Sequence, residues 1–257
     1  MQKGQFEFKL FSNLYTQTKG FDSEGNRFNA GGRATYFTQI NQFLFGWNNR
    51  INFGFDVWTK SVRTGAESEN PLNIFYFQND ANNRSAVSGI GPKIKITPFS
   101  KIKRLSIQST YLIPIAKDMQ GRFNGRPFLS NDAHLWLTQF FYDVPISAKF
   151  QLFFQSAAWL YVNRVGHPDG GGVQFANPVS VFFSYFPNNR ITLYYQNEFW
   201  PNFGSNFVDS YFRQEGAGFK YQIIPGLLEG EFLFTNFFAG KNAGAGKTYN
   251  FGLRIIR

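Results

Sequence analysis

Along most of the chain apolar and polar residues alternate with a period of two, the spacing of β-strands whose two faces meet different surroundings. From Gln5 to Tyr15, Phe6, Phe8, Leu10 and Leu14 fall on one face and Glu7, Lys9 and Asn13 on the other. From Arg50 to Lys60, Ile51, Phe53, Phe55 and Val57 oppose Arg50, Asn52, Asp56 and Lys60. The same pattern predicts strands near 5–17, 28–40, 43–60, 86–99, 104–115, 133–142, 147–162, 173–186, 190–200, 210–224, 227–238 and 248–257.

The connections between these segments alternate in length. Short ones are expected at Asn41-Gln42, Ser100 to Lys103, Asp143 to Ile146, Pro187 to Asn189 and Pro225-Gly226. Long ones are expected at Thr18 to Arg27, Ser61 to Ser85, Ala116 to Asp132, Asn163 to Gly172, Pro201 to Asp209 and Ala239 to Lys247. Transmembrane β-barrels show this asymmetry, with short periplasmic turns and longer extracellular loops. An even number of strands leaves both termini on the short-turn side and brings the first and last strands together. The sheet can then close, which in lipid spares an open edge costing several kcal/mol per unpaired backbone group. The expectation is one domain spanning residues 1–257, all-β, a closed antiparallel up-and-down transmembrane β-barrel of about 12 strands (roughly 10–14).

Alternation assigns a lipid-facing belt: Ile51, Phe53, Phe55 and Val57; Phe150, Leu152, Phe154 and Leu160; Val179, Val181, Phe183 and Tyr185; Tyr249, Phe251, Leu253 and Ile255. Trp58, Trp159 and Trp200 fall near loop-side strand ends and Trp47 near a turn-side end, where amphipathic rings sit at a membrane interface. Strict alternation would turn Trp58 and Trp159 inward instead. The last strand, Thr248 to Arg257, carries alternating Tyr249, Phe251, Leu253 and Ile255. It resembles the C-terminal strand of Gram-negative outer-membrane β-barrels, the porin-like superfamily, although it ends in Arg257 where an aromatic residue is commonest. The likeness is one of pattern and points to no specific family within that superfamily. It implies an integral outer-membrane protein with both termini in the periplasm, in contact with outer-membrane lipid and lipopolysaccharide.

Composition narrows this further. Aromatic residues make up 20% of the chain, yet the mean hydropathy is only −0.30. The longest apolar run, about Ala157 to Val162, is far short of the ~18 residues a membrane-spanning helix needs. With no cysteine, disulfides and thiolate metal sites are excluded. The net charge of +10 is dispersed: the densest group, Lys101, Lys103 and Arg104, sits in an expected turn, so no nucleic-acid partner is expected.

Alternation places Glu7, Lys9, Arg33, Arg50, Asp56, Lys93, Lys95, Lys149, Glu198, Lys220, Glu229, Glu231 and Arg254 in the lumen, eight bases against five acids. An open lumen of that balance would favour anions; the same charges could also pair off and close it. Bulky Phe11, Phe37, Phe153, Tyr194 and Phe237 are also read as inward, narrowing the space or offering rings to a solute. The connection Ser61 to Ser85 carries Leu72, Ile74, Phe75, Tyr76 and Phe77, too apolar to stand in water, and is read either as a constriction folded into the mouth or as a docking loop.

No catalytic constellation, metal site or cofactor site is expected. His134 and His167 are the two histidines: the first is read as an interfacial polar residue, and the second, in His167 to Gly172, as a loop tip. Glu229 and Glu231 share a strand face, where luminal Lys and Arg would neutralise them. Two functional readings follow. One is a small passive channel for small polar or anionic solutes; the other is a closed barrel acting as an accessory subunit with other outer-membrane proteins.

Overall fold

The computed structural model describes residues 1–99, 101–102, 104–122, 125–164, 172–204 and 208–257. Its strands are β1 (Phe6–Phe21), β2 (Arg27–Gly46), β3 (Ile51–Gly65), β4 (Asn83–Ile96), β5 (Leu105–Pro114), β6 (Ala133–Pro145), β7 (Phe150–Asn163), β8 (Val173–Ala176), β9 (Val179–Asn188), β10 (Ile191–Phe203), β11 (Ser210–Ile224), β12 (Leu228–Lys241), β13 (Ala243–Gly244) and β14 (Lys247–Ile256). A 3₁₀ helix, Pro71–Tyr76, interrupts the β3–β4 connection. Among the described residues no helix is long and apolar enough to cross a membrane.

Every pairing is antiparallel, and the order closes on itself. From β1 the wall runs through β2 to β7, then β8 and β9, β10, β11, β12 and β14, which pairs back with β1 from Glu7↔Ile256 to Thr16↔Lys247. β8 and β9 are one wall strand broken at Asn177-Pro178. Proline there cannot donate to the ladder, and Asn177 repairs the gap by donating from its side chain to the Ala157 carbonyl at 2.7 Å. β13 and β14 likewise form one strand, giving twelve around a closed ring.

The outer face carries the predicted belt. Phe8, Phe43 and Phe55 are cross-strand partners with ring centroids 5.0 and 4.7 Å apart. Phe53 and Phe55 are 46% and 43% exposed, as side chains facing lipid are when the chain is taken alone. Within the belt, polar side chains on that face bond to one another: Ser109 to Thr138, Trp136 to Ser109, and Gln39 to Asn41. The interior alternates with this belt along every strand.

Three connections differ from the sequence reading. No turn occurs at Asn41-Gln42; β2 continues to Gly46 and the chain reverses at Trp47–Arg50, where Asn48 Oδ1 accepts from the Arg50 and Ile51 amides. The expected long loops at 18–27 and 239–247 are half and two-thirds strand, respectively. β1 and β2 are separated only by Asp22–Asn26, and β12 and β13 by Asn242, which takes a left-handed φ of 49°. The wall therefore extends beyond the apolar belt on this side as a hydrogen-bonded collar, and loop length alternates less strictly than predicted.

Candidate lumen and constriction

Of the residues predicted to line the lumen, Glu7, Lys9, Asp56, Lys93, Lys95, Glu198, Lys220, Glu229, Glu231 and Arg254 point inward. Three do not. Arg33 lies on the outer face, donating to Thr16 Oγ1 at 3.0 Å and to the Glu67 carbonyl. Arg50 sits in the β2–β3 turn and donates to the Thr97 and Pro98 carbonyls. Lys149 is exposed in the β6–β7 turn. The misplaced β2 turn accounts for Arg33 and Arg50, and also for Phe37, which faces outward. Of the predicted set, the lumen keeps five bases and five acids, so the basic excess disappears.

Six of the ten inward charges form three ion pairs, unequally exposed and concentrated towards the tight-turn end. Arg254 reaches Glu7 at 2.6 Å, with side-chain exposures of 39% and 8%, and Lys220 reaches Glu231 at 3.5 Å, with 38% and 20%. In both pairs the base faces the open space and the acid lies against the wall. Tyr194 donates to Glu231 at 2.6 Å, its ring lying over Gly218, where an added Cβ would come within 2.7 Å of Tyr194 Cζ. Lys95 lies 5.9 Å from the Phe141 ring. Glu229 accepts from Gln222. By contrast Lys93 and Asp56, 2.6 Å apart, are each only 1% exposed.

Midway up the wall, polar side chains form a hydrogen-bonded band. Asn13 donates to Asn250, Asn250 to Thr248, Thr248 meets Thr235, Thr235 donates to Gln214, and Gln214, Gln196 and Ser180 all converge on the Glu198 carboxylate. Glu198 is thus held by neutral donors rather than by a cation.

Towards the loop end the lining becomes aromatic. Tyr36, Tyr15, Phe237, Phe212, Trp200, Trp159 and Trp58 follow one another with centroid separations of 6.1, 5.0, 4.4, 5.6, 5.1 and 5.9 Å. Trp58 and Trp159 come from β3 and β7, which are not neighbours in the wall. Their rings therefore meet across the lumen, over the smaller Leu112, Leu135 and Leu137, and cut off a buried apolar core on that side. Trp200 joins this collar, although its position near a strand end suggested the membrane interface; Trp47 stays outside, 62% exposed.

The described parts of the β5–β6 connection, 115–122 and 125–132, fold into the mouth above that core. Met119 and Leu129 are 2% and 4% exposed. Buried Arg84 donates to the carbonyls of Met119, Pro127 and Lys117 at 3.4, 3.2 and 3.4 Å. Lys60 donates to Ser130 at 2.7 Å, and Arg164 pairs with Asp132 at 2.6 Å.

The β3–β4 connection, expected as constriction or docking loop, does not enter the mouth. Its 3₁₀ helix lies on the outer face of β1–β3, where Ile74 is buried with Leu14 and Phe37, and Phe37 meets Phe75 and Phe77 edge-on. Leu72, Phe75, Tyr76 and Phe77 remain exposed. Asn70 caps the helix by accepting from the Leu72 amide, and Phe77 closes it in the left-handed region. Glu69, held by Asn73 and by Arg63 at 2.8 Å, has its carboxyl below the usual range because those donors favour the charged form.

His134 faces outward, its ring stacked 5.7 Å from Tyr111 and its Nδ1 3.1 Å from the Tyr111 hydroxyl. His167 lies outside the described residues. Among the described residues no three His, Asp or Glu side chains converge as a metal site would require.

A closed, twelve-stranded antiparallel ring with an apolar aromatic exterior and a polar interior is the architecture of the bacterial outer-membrane β-barrels. No family model and no curated protein sequence matches the chain. Solved structures do. A bacterial outer-membrane channel from Pseudomonas putida F1 superposes with a TM-score of 0.71 at 10% identity, over 100% of this chain and 97% of that one. The β domain of the Bordetella autotransporter BrkA gives 0.64 at 10% identity, over 98% and 99%. The NanC porin gives 0.50 at 7% identity, over 96% and 98%. At such identities the likeness is one of fold.

Proposed function

We propose that the protein is a narrow passive channel of the outer membrane for small polar or anionic solutes, with its tight-turn end and both termini in the periplasm. The observation that carries this reading is the unequal exposure of the luminal ion pairs. In a plugged barrel both partners of a pair are buried, as Lys93 and Asp56 are; Arg254 and Lys220 instead present more than a third of their side chains to open space while their acids stay against the wall. The space is lined by cations although the total charge is balanced, which supports a modest anion preference despite the lost basic excess. The aromatic collar adds stacking faces, so solutes carrying a ring as well as a charge suit the path. The P. putida neighbour is itself a channel.

The test is single-channel recording of the refolded chain in a planar bilayer under a KCl gradient. Anion-selective steps are expected, their reversal potential moving towards zero in the Lys95→Gln/Lys220→Gln variant, with benzoate blocking more strongly than acetate. Silence from a correctly folded, heat-modifiable barrel would refute the channel and favour the accessory-subunit reading.

A further inference from the structure

The 3₁₀ helix and the wall beneath it enclose a groove of about 510 Å³ on the outside of the barrel. Leu14, Phe37, Phe75, Phe232, Tyr249 and Phe251 line it, so it spans the outer faces of β12, β14, β1 and β2 and continues the lipid-facing belt without a break. Its depth follows from strand geometry. A strand rising ~3.3 Å per residue and tilted ~40° climbs about 2.5 Å per residue along the barrel axis. Leu14 is eight residues above Phe6, hence about 20 Å above the lower edge of an apolar band about 25 Å tall. The groove, which reaches down to Phe251 and Phe232 at the level of Ser12, occupies the outer half of that band.

Two residues higher the chemistry changes. Thr16 pairs with Lys247 on one side and Thr35 on the other, and its hydroxyl accepts from Arg33. Lys247 is exposed, and the contacts described for the Arg33 guanidinium are to a hydroxyl and a carbonyl, so no carboxylate among them neutralises it. Of the nearby acids, Glu69 is paired with Arg63; Glu67 lies beside Arg33 and keeps its charge, but its carboxylate is turned to the Asn29 amide at 3.4 Å and makes no ion pair with Arg33. Two cations therefore stand about 25 Å above Phe6, at headgroup level, directly over an apolar slot that opens sideways into the membrane.

We propose that this groove binds one acyl chain of a phosphorylated outer-leaflet glycolipid, with Lys247 and Arg33 taking its phosphate. The inference rests on the orientation given above, with the loop end outward. A lone apolar slot would take any hydrocarbon; the pair of cations at phosphate height above it selects an anionic lipid, because an ammonium and a guanidinium both form charge-assisted bonds to phosphate oxygens.

Native mass spectrometry of the whole barrel, released from mild detergent after titration with hexa-acylated lipid A bisphosphate or its enzymatically dephosphorylated form, tests this. One bisphosphate lipid should survive activation that strips detergent, with affinity falling about tenfold in Lys247→Gln, and it should be lost in Ser12→Trp, because Ser12 lies in the groove lining beside Leu14 and the indole fills the slot. Equal retention of the dephosphorylated lipid, or undiminished retention by either variant, overturns the assignment. Channel conductance should be unchanged in both variants. A membrane-impermeant thiol reagent on cells carrying Ser68→Cys, at an exposed position of the β3–β4 connection, separates a failed orientation, in which no label is taken up, from a failed site.

Discussion

Replacing Arg84 with Met should loosen the loop in the mouth while leaving the barrel intact. Methionine keeps most of the buried stem, so the change removes hydrogen bonds rather than volume. Arg84 makes three contacts with loop carbonyls, all at 3.2 to 3.4 Å, long for charge-assisted bonds. At the low end of the range for bonds to charged groups, about 1 kcal/mol each after allowing for that length, their loss weakens docking by about 2–3 kcal/mol. Because about 1.4 kcal/mol is a factor of ten, the undocked population rises roughly 30- to 150-fold. Met119 and Leu129 still favour the docked state by their burial, so the loop should fluctuate rather than leave. In single-channel records this appears as frequent brief excursions to a higher conductance, rare in the parent. Far-UV circular dichroism and heat modifiability should be unchanged. Conductance noise identical to the parent would show that the loop is held by its apolar residues alone and that Arg84 does not fasten it.

Two further outcomes follow from the same structure. Lys93→Met should destabilise the barrel by about 3–5 kcal/mol in urea unfolding from lipid vesicles, because Asp56 is left charged and buried; its Oδ1 already has no hydrogen-bond partner among the described residues, so Asp56→Leu/Lys93→Met should recover most of the loss. In the β1–β2 hairpin the Asp22 carboxylate accepts from the Asn26 and Glu24 amides, and these bonds hold its pKa below the ordinary carboxylate value, the Asn26 amide contributing most. A group with a lowered folded pKa stabilises the hairpin above its unfolded pKa and stops doing so as the pH falls through the folded one. The protection factors of those amides, taken against their intrinsic exchange rates at each pH, should fall on acidification below that range, and those of an Asp22→Asn variant should stay level.

The twelve strands and the belt were legible because each side of the wall meets a uniform medium. Wherever one face touches lipid and the other water, as in β1, β7, β9 and β14, alternation assigns nearly every side chain. β2 defeats it. Gln39 and Asn41 face outward and satisfy each other, so polarity no longer separates the faces, and the Asn41-Gln42 pair resembles a turn. One misplaced turn then reversed Arg33 and Phe37 and put Arg50 in a strand. The aromatic collar was partly visible in the parity of Trp58 and Trp159, but its closure depends on rings from strands far apart in sequence. Which long connection enters the mouth was not legible: the greasier one is held outside by Leu14 and Phe37, while Lys117, Met119 and Pro127 of the β5–β6 connection are drawn in by Arg84, a residue that marks no motif.

The 3₁₀ helix also bears on how the wall is completed. The pairing of β1 with β14 joins residues from opposite ends of the chain, Glu7 with Ile256, so it carries the largest loop-closure entropy of any neighbouring pair. The groove lies over that joint, with one bank on β1 and β2 and the other on β12 and β14. Its far bank does not exist until the last strand docks, so the groove becomes complete only in a fully closed barrel, and any molecule seated in it touches both sides of the joint. Occupancy would then oppose reopening at the one joint of the wall that no connecting loop spans.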